Sequence, residues 1–246
     1  MPRIFLPEPF VAGAVVALPT AAARHIQVLR LQPGETIELF NGADGCDWPA
    51  EIVRIGRNAV DVRIGTGRAV DRELACAVTL AIGVPANDRM DALVEKAGEL
   101  GAAAIQPLVC ERSVLRLSAE RAEARQRHWS AVAAAASEQC GRTRVIEVLA
   151  VRSFSAWLAS DAAAGGNRIV LSLDPSAAVP ASAASGATGP VLVLSGPEGG
   201  LSESEESAAV ARGFVRVGLG SRVLRADTAP LAVLAWLGLQ PAPAGS

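Results

Sequence analysis

The chain has 246 residues, half of them apolar and a fifth charged, with a formal net charge of −2. That composition provides for a substantial buried core and argues against wholesale electrostatic attachment to nucleic acid, and no apolar run is long enough to span a bilayer. No charged-then-apolar leader precedes Pro2-Arg3-Ile4, so a cytoplasmic protein is the simplest expectation. Cys46, Cys76, Cys110 and Cys140 are scattered without a CxxC pair, and only His25 and His128 stand beside them. The pattern is neither a disulfide framework nor a zinc site; no metal is expected, and the thiols are expected free and buried.

In chain order, a proline-rich lead is followed by residues 20–30, a short predicted helix with Thr20 as N-cap and Ile26 and Leu29 on one face, ending before Pro33-Gly34. Short strands are predicted at 36–40, 48–55 and 59–64, separated by Asn41-Gly42 and Gly56-Arg57-Asn58. One helix among several short strands fits a small β-barrel. Composition shifts at Gly65-Thr66-Gly67-Arg68, which sets a domain boundary near Asp71, giving domains 1–71 and 72–246.

Beyond it, strands and helices alternate, as in an α/β domain with a mainly parallel sheet. Strands are predicted at 74–84, 105–110, 145–149, 169–173, 191–194 and 214–217. Met90, Leu93, Val94, Ala97 and Leu100 recur at helical spacing after Asn87 or Asp88, and Gly101 ends that helix. Further helices are predicted at 118–140 and 154–163, and the Ser/Ala/Pro-rich stretch 175–190 reads as a flexible connection. Ser202 with Glu205 forms a capping box for a helix that stops at Gly213, and an apolar helix covers about 227–239 with Asp227 as its cap. Between Glu111 and Arg144 seven arginines face four glutamates, so this segment is net positive in a net-acidic chain and suited to RNA phosphates. Glutamates interleave with Arg121, Arg125 and Arg127, which therefore read as a solvated helix face.

Two loops have unusual composition. Ser195-Gly196-Pro197-Glu198-Gly199-Gly200 lies between a buried strand and a helix start, where backbone amides can closely approach a ligand. Gly218-Leu219-Gly220-Ser221-Arg222-Val223-Leu224-Arg225 follows the next strand. Both would line one crevice if their strands were neighbours. Neither matches a dinucleotide or phosphate-loop fingerprint, so spacing alone leaves a ligand site and a plain turn equally open.

GPEGGLSESE and LGSRVLRADTA resemble the two signature loops of the bacterial small-subunit ribosomal RNA methyltransferase E family, which methylates uridine N3 and belongs to the SPOUT superfamily. MPRIF, HIQVLRLQPGE, Glu111-Arg112-Ser113-Val114 and Ser137-Glu138-Gln139-Cys140-Gly141-Arg142 extend the resemblance over nearly the whole chain. Cys110 and Cys140 stand where the family usually has serine. The resemblance implies a SPOUT-like parallel-sheet domain with a C-terminal trefoil knot, preceded by a small PUA-like β-barrel used for RNA contact. Periodicity does not foretell a knot. It further implies that S-adenosylmethionine is held by Leu173, Ser195, Gly196, Pro197, Glu198, Gly199, Gly200, Leu219, Gly220, Ser221, Val223 and Leu224. RNA contact would come from Arg3, Arg24, Arg30, Arg112, Arg116 and Arg142, and the partner would be small-subunit ribosomal RNA or the assembled subunit. For His25 and for any single arginine of the first domain, decoration of a solvated surface is the competing reading. The chain departs from the family at Leu224-Arg225-Ala226-Asp227-Thr228-Ala229, where the family has LRTETA, and at Leu171-Ser172-Leu173-Asp174-Pro175, where it often has a histidine before proline.

Methyl transfer from a sulfonium needs in-line alignment more than acid assistance. Uridine N3 becomes nucleophilic only as its proton departs, so a fixed arginine near the uracil carbonyl would favour the charged form; Arg225 is the candidate. Glu198 is expected to accept amide hydrogen bonds within its own loop. Leu231, Leu234, Ala235 and Trp236 offer apolar surface for a homodimer. A ribose 2′-O methyltransferase of the same fold and a non-catalytic RNA-binding assembly factor are the alternative readings.

Overall fold

The computed structural model describes residues 1–57, 59–86, 89–114, 118–164, 166–178 and 189–240. Two units divide the chain: Met1–Arg72 together with Ser137–Val145, and Glu73–Ala136 together with Ile146–Ser246. The return of Ser137–Val145 to the first unit has no counterpart in the sequence pattern.

In the first unit, β1 (Arg3–Phe5), β2 (Val15–Ala17), α1 (Thr20–Val28), β3 (Thr36–Phe40), β4 (Cys46–Ile55), β5 (Val60–Ile64) and β6 (Arg68–Ala69) follow in order. The strands form one sheet ordered β1-β3-β4-β5-β2, with β6 on β4. β1 runs parallel to β3 and the other pairs are antiparallel. Alternating residues of β3, β4 and β5, among them Ile37, Leu39, Ile52, Val60, Val62 and Ile64, bury one face with Ile26 of α1. Thr20 is not the cap expected of it. It is the first helical residue, Pro19 occupies the cap position, and no side chain caps the helix.

Carboxylates placed inside this sheet organise its basic residues. Arg3 donates to Asp47 at 2.6 Å and to Glu38 at 3.5 Å, Arg68 pairs with Glu38, and Arg72 pairs with Asp47 at 3.2 Å. The Asp47 side chain is 2 % exposed. The Ser137–Val145 segment closes the same network: Arg3 Nη2 donates to the Arg142 carbonyl at 3.0 Å, and the Phe5 amide donates to Glu138 Oε1 at 2.8 Å.

In the second unit, β7 (Val78–Gly83), α2 (Arg89–Glu99), β8 (Ala104–Val109), α3 (Ala119–Cys140, whose last turn counts with the first unit), β9 (Glu147–Val148), β10 (Arg152–Ser153) and α4 (Phe154–Leu158) lead to a short 3₁₀ turn, Asp161–Ala163. They are followed by β11 (Asn167–Leu171), β12 (Val191–Ser195), α5 (Glu203–Ala211), β13 (Val215–Val217) and α6 (Thr228–Gly238). The sheet order is β10-β8-β7-β12-β11-β13 with β9 also on β8, and every pairing is parallel. A sheet covered on both faces explains the continuous apolar runs of β7 and β12, all but one of whose residues are buried. Because the strands are parallel, the loops after β11, β12 and β13 all leave the same edge, and the order reverses beside β7, where ligand crevices form in such sheets.

The helix expected over 154–163 is broken. α4 ends at Leu158, and Ser160 Oγ donates to the Trp157 carbonyl at 2.7 Å, a local bond that competes with helix continuation. The Ser202–Glu205 capping box is present as read. Asp227 is in the cap position of α6 but makes no capping bond, because its backbone is already helical there. Of the four thiols only Cys110 is buried; the other three are partly exposed, unlike the expectation. Among the described residues no helix is long and apolar enough to cross a membrane. The cap expected at Asn87 or Asp88, Arg116, and most of the 175–190 connection lie outside the described residues.

Candidate active site

The loops after β11, β12 and β13 enclose a cleft of about 1150 Å³ in the second unit. Its walls come from residues 171–175, 177, 195–201 and 216–224, with Arg112, the start of α5 and Ala226 and Ala229 completing it. All twelve residues read as cofactor contacts line this cleft. Two lines of sequence, separated by α5 and β13, are brought to one place although their strands are not the neighbours expected: β12 and β13 lie on either side of β11 and both run parallel to it.

The glycines are not equivalent. A Cβ on Gly196 would lie 2.5 Å from the Leu201 amide nitrogen and 2.6 Å from the Gly200 carbonyl carbon, so the loop folds back on itself too tightly for any side chain. Gly200 and Gly220 have φ of +69° and +92°, which other residues adopt only with strain. A Cβ on Gly199 would meet the Arg112 side chain at 3.1 Å, a neighbour able to move. On the β7 side, Gly83 has no room for a Cβ because Pro197 packs against it at 2.5 Å.

Charged groups fix the loops from outside. Glu198 does not bond within its own loop; it accepts from the Ala86 amide at 2.9 Å and pairs with Arg89 at 3.4 Å, tying the glycine loop to the end of β7. Arg112 Nη1 donates to the Gly199 carbonyl at 3.0 Å. Below them, Glu206 of α5 accepts from Ser172 Oγ at 2.8 Å and from Arg216 Nε at 2.6 Å, joining three elements of the cleft wall. Asp174 accepts from the Ser176 hydroxyl and amide, and those bonds, with Arg216 at 4.0 Å, hold its carboxyl below the usual range. Arg89, Ser172, Glu206 and Arg216 were not singled out in the sequence, because each meets its partner across ten to more than a hundred residues and none carries a local motif.

Leu173 and Val223 are 73 % and 77 % exposed and give the cleft apolar walls beside its backbone amides. This combination suits a nucleoside with a polar amino-acid tail better than a free anion, since ring faces need apolar contact and the glycines admit close backbone approach.

Arg225 is exposed and does not line the cleft, although Leu224 and Ala226 on either side do. Among the described residues its side chain has no ion-pair partner. Of the six arginines read as RNA contacts, Arg112 lines the cleft, and Arg24 and Arg30 are exposed on and just after α1. Arg3 and Arg142 are elsewhere: the first is partly buried, with a side chain 11 % exposed and held by Asp47 and Glu38, and the second is buried, 3 % exposed. Both lie within the first unit with little of their side chains open to solvent.

Residues 72–238 match the RNA methyltransferase domain family, and residues 18–65 match the RNA methyltransferase PUA domain. The ribosomal RNA small subunit methyltransferase E of Synechocystis is 33 % identical over 243 residues, covering 95 % of this chain and 76 % of that protein. This chain belongs to the ribosomal RNA small subunit methyltransferase E family. The Bacillus subtilis member is 30 % identical, with 87 % of this chain and 86 % of that one covered. Among solved structures, the ribosomal RNA small subunit methyltransferase E of Neisseria gonorrhoeae bound to S-adenosylmethionine superposes with a TM-score of 0.88 at 34 % identity, over 96 % of both chains. A Legionella pneumophila methyltransferase with bound cofactor follows at 0.85 and 30 %, again over 96 % of each. The family's parallel-sheet domain and its PUA partner account for the two sheets described above.

Proposed function

We propose that this chain is an S-adenosylmethionine-dependent methyltransferase that methylates N3 of a specific uridine in small-subunit (16S) ribosomal RNA. The observation that carries the reading is the cleft formed by two glycine loops at the carboxyl ends of β12 and β13, the parallel strands on either side of β11, in a family whose Neisseria member binds S-adenosylmethionine in its crystal structure. Residues 195–200 and 219–224 would hold the cofactor through backbone groups, with Leu173 and Val223 against its apolar parts. When bound, S-adenosylmethionine supplies an electrophilic methyl group that leaves a neutral thioether behind.

The protein must then orient the uracil and lower the cost of losing the N3 proton. Arg225 is the proposed catalytic cation. Its guanidinium is not consumed by either carboxylate that could compete for it: Glu198 is engaged by Ala86 and Arg89, and Asp227 makes no ion pair with it among the described residues. A free, planar donor pair beside the cleft can meet a uracil oxygen and favour the anion electrostatically. Arg112 sits on the cleft wall and is proposed to position the RNA there. N3 is a pairing atom, so the substrate segment must be unpaired or opened.

The first unit is proposed to be a PUA-like barrel that contacts RNA through Arg24 and Arg30, and the C-terminal loops are proposed to form the trefoil knot of the superfamily. A homodimer in the cytoplasm completes the reading. Leu231, Ala235 and Trp236 of α6 are only partly buried within their unit and support a partner there, whereas Leu234 is already in the core. Mass spectrometry of digested small-subunit RNA from a deletion strain, with and without this protein restored, tests the activity. Restoration of 3-methyluridine at one site is expected; 2′-O-methylation instead would replace the N3 assignment, and no change in methylation would remove the activity.

A further inference from the structure

A second cavity, of about 460 Å³, opens at the carboxyl ends of β8 and β10, which pair in parallel through Ser153 and Val109. The loop 110–113 separates it from the cofactor cleft: Arg112 lines the cleft, while Cys110, Glu111 and Ser113 line this cavity. α5 contributes in the same divided way, with Glu203 and Glu206 facing the cleft and Glu205 the cavity. The methyl-transfer reading leaves this space unused.

Its chemistry is specific. Phe154 provides an apolar wall, and Ser113, Ser153 and Ser155 provide hydroxyls. Glu205 is 9 % exposed, and its two oxygens accept amide protons from Glu111 at 2.8 Å and from Ser202 at 3.0 Å. Among the described residues no lysine or arginine pairs with it. A carboxylate has about four acceptor positions, so capacity remains for a donor entering the cavity. Its charge, after burial itself, helps to push the adjacent Cys110 thiol up to about 12, so that thiol stays protonated and is no nucleophile.

The volume lies in the range of small-ligand sites, large enough for one nucleobase. A lone carboxylate would oppose a uracil losing its N3 proton, so this is not a place for the reacting base. It favours a base that donates. We propose that the cavity receives an unstacked nucleobase carrying an exocyclic amine, from a nucleotide near the target uridine, with the amine directed to Glu205. Sequence-specific RNA recognition commonly works through such splayed bases held on aromatic and polar side chains. The proposal rests on the reading of the adjacent cleft as the methyl-transfer site.

Ser155 is exposed at the cavity, so Ser155→Trp fills it from the solvent side, with Ser155→Leu as the milder second variant. Synthetic RNAs containing the target uridine, with each neighbouring nucleotide made abasic in turn or replaced by its analogue lacking the exocyclic amine, are the probes. With wild-type protein, one position is expected to lose about tenfold in RNA affinity, the size of one stacked and hydrogen-bonded base. With either Ser155 variant, affinity for the unmodified RNA should fall by a similar factor, and the same abasic or amine-free change should then cost nothing more. S-adenosylmethionine affinity should be unchanged. Additive losses at every position, or a Ser155→Trp protein that binds the unmodified RNA as well as wild type, would overturn the proposal. Weakened cofactor binding would also overturn it, by making the cavity part of the cleft. RNA affinity reads the cavity independently of turnover, so a wild-type protein that binds these RNAs with the expected position dependence yet transfers no methyl group would sink the N3 assignment and not this one.

Discussion

Arg3 and Arg142 of the first unit and Arg225 of the second live under opposite conditions, although each is an arginine inside a family-like motif. Arg142 is buried and Arg3 partly so, and Asp47 and Glu38 claim the Arg3 guanidinium. Arg225 is exposed, and among the described residues no carboxylate pairs with it; Glu198 is turned toward Ala86 and Arg89. What separates these arginines is where the nearest carboxylates point, which depends on pairings across 35 to more than a hundred residues.

The sharpest way to break this contrast is at Asp47. Asp47→Ala leaves Arg3 facing an empty, nearly dry position while the half-exposed Arg72 can turn to water, and the loss of one partner of a buried pair costs about 3–5 kcal/mol. Chemical denaturation should show that loss; a change below about 1 kcal/mol would mean that the network contributes little and that Arg3 is free to act elsewhere. Arg225→Ala should reverse the pattern, leaving stability and cofactor affinity nearly unchanged while the single-turnover methylation rate falls about a hundredfold or more. Arg225→Lys should recover little of it, since a point charge lacks the planar pair of donors. Equal losses in cofactor binding and rate would make Arg225 a loop support instead.

Within the cleft, Gly196→Ala should weaken S-adenosylmethionine binding at least tenfold more than Gly199→Ala, because its Cβ meets backbone at 2.5 Å whereas that of Gly199 meets a movable arginine side chain. Equal titration results for the two would show that the cofactor, not the loop's own packing, sets the glycine requirement. The smallest effect belongs to Arg24→Ala, which should weaken RNA binding a few-fold across sequences and reduce the salt slope by about one. An unchanged slope would return Arg24 to a solvated helix face.

Much of this was legible in the chain itself. The glycine loops became a cleft only through the family resemblance, whereas β12 was readable as a buried strand because an apolar run between glycines has few other solutions. The Ser202–Glu205 box fixed the start of α5 because both halves of that device lie three residues apart. Where the sequence fell short, the deciding contact was distant. Nothing near Glu198 indicates Ala86 or Arg89, nothing near Arg3 indicates the Arg142 carbonyl, and a run of glycines does not say which one has backbone 2.5 Å from its missing side chain. Asp227 misled for a subtler reason: residue type is right for a cap, but capping also requires an extended backbone, and Asp227 is helical.

The return of Ser137–Val145 to the first unit governs the order in which this chain can be made and cut. On a ribosome, the first 72 residues emerge without the Glu138 carboxylate that the Phe5 amide uses and the Arg142 carbonyl that Arg3 uses beside Asp47 and Glu38, and the unit is complete only once residue 145 has been synthesised. Tying those segments together closes a long loop through the second unit, whose entropy in a free chain is on the order of 3–4 kcal/mol and is offset once that unit has folded. The amino-terminal piece is therefore not a detachable module. Expressed alone to Arg72, it would lack a wall of its own interior, whereas a version with residues 137–145 joined by a short linker would carry the complete unit.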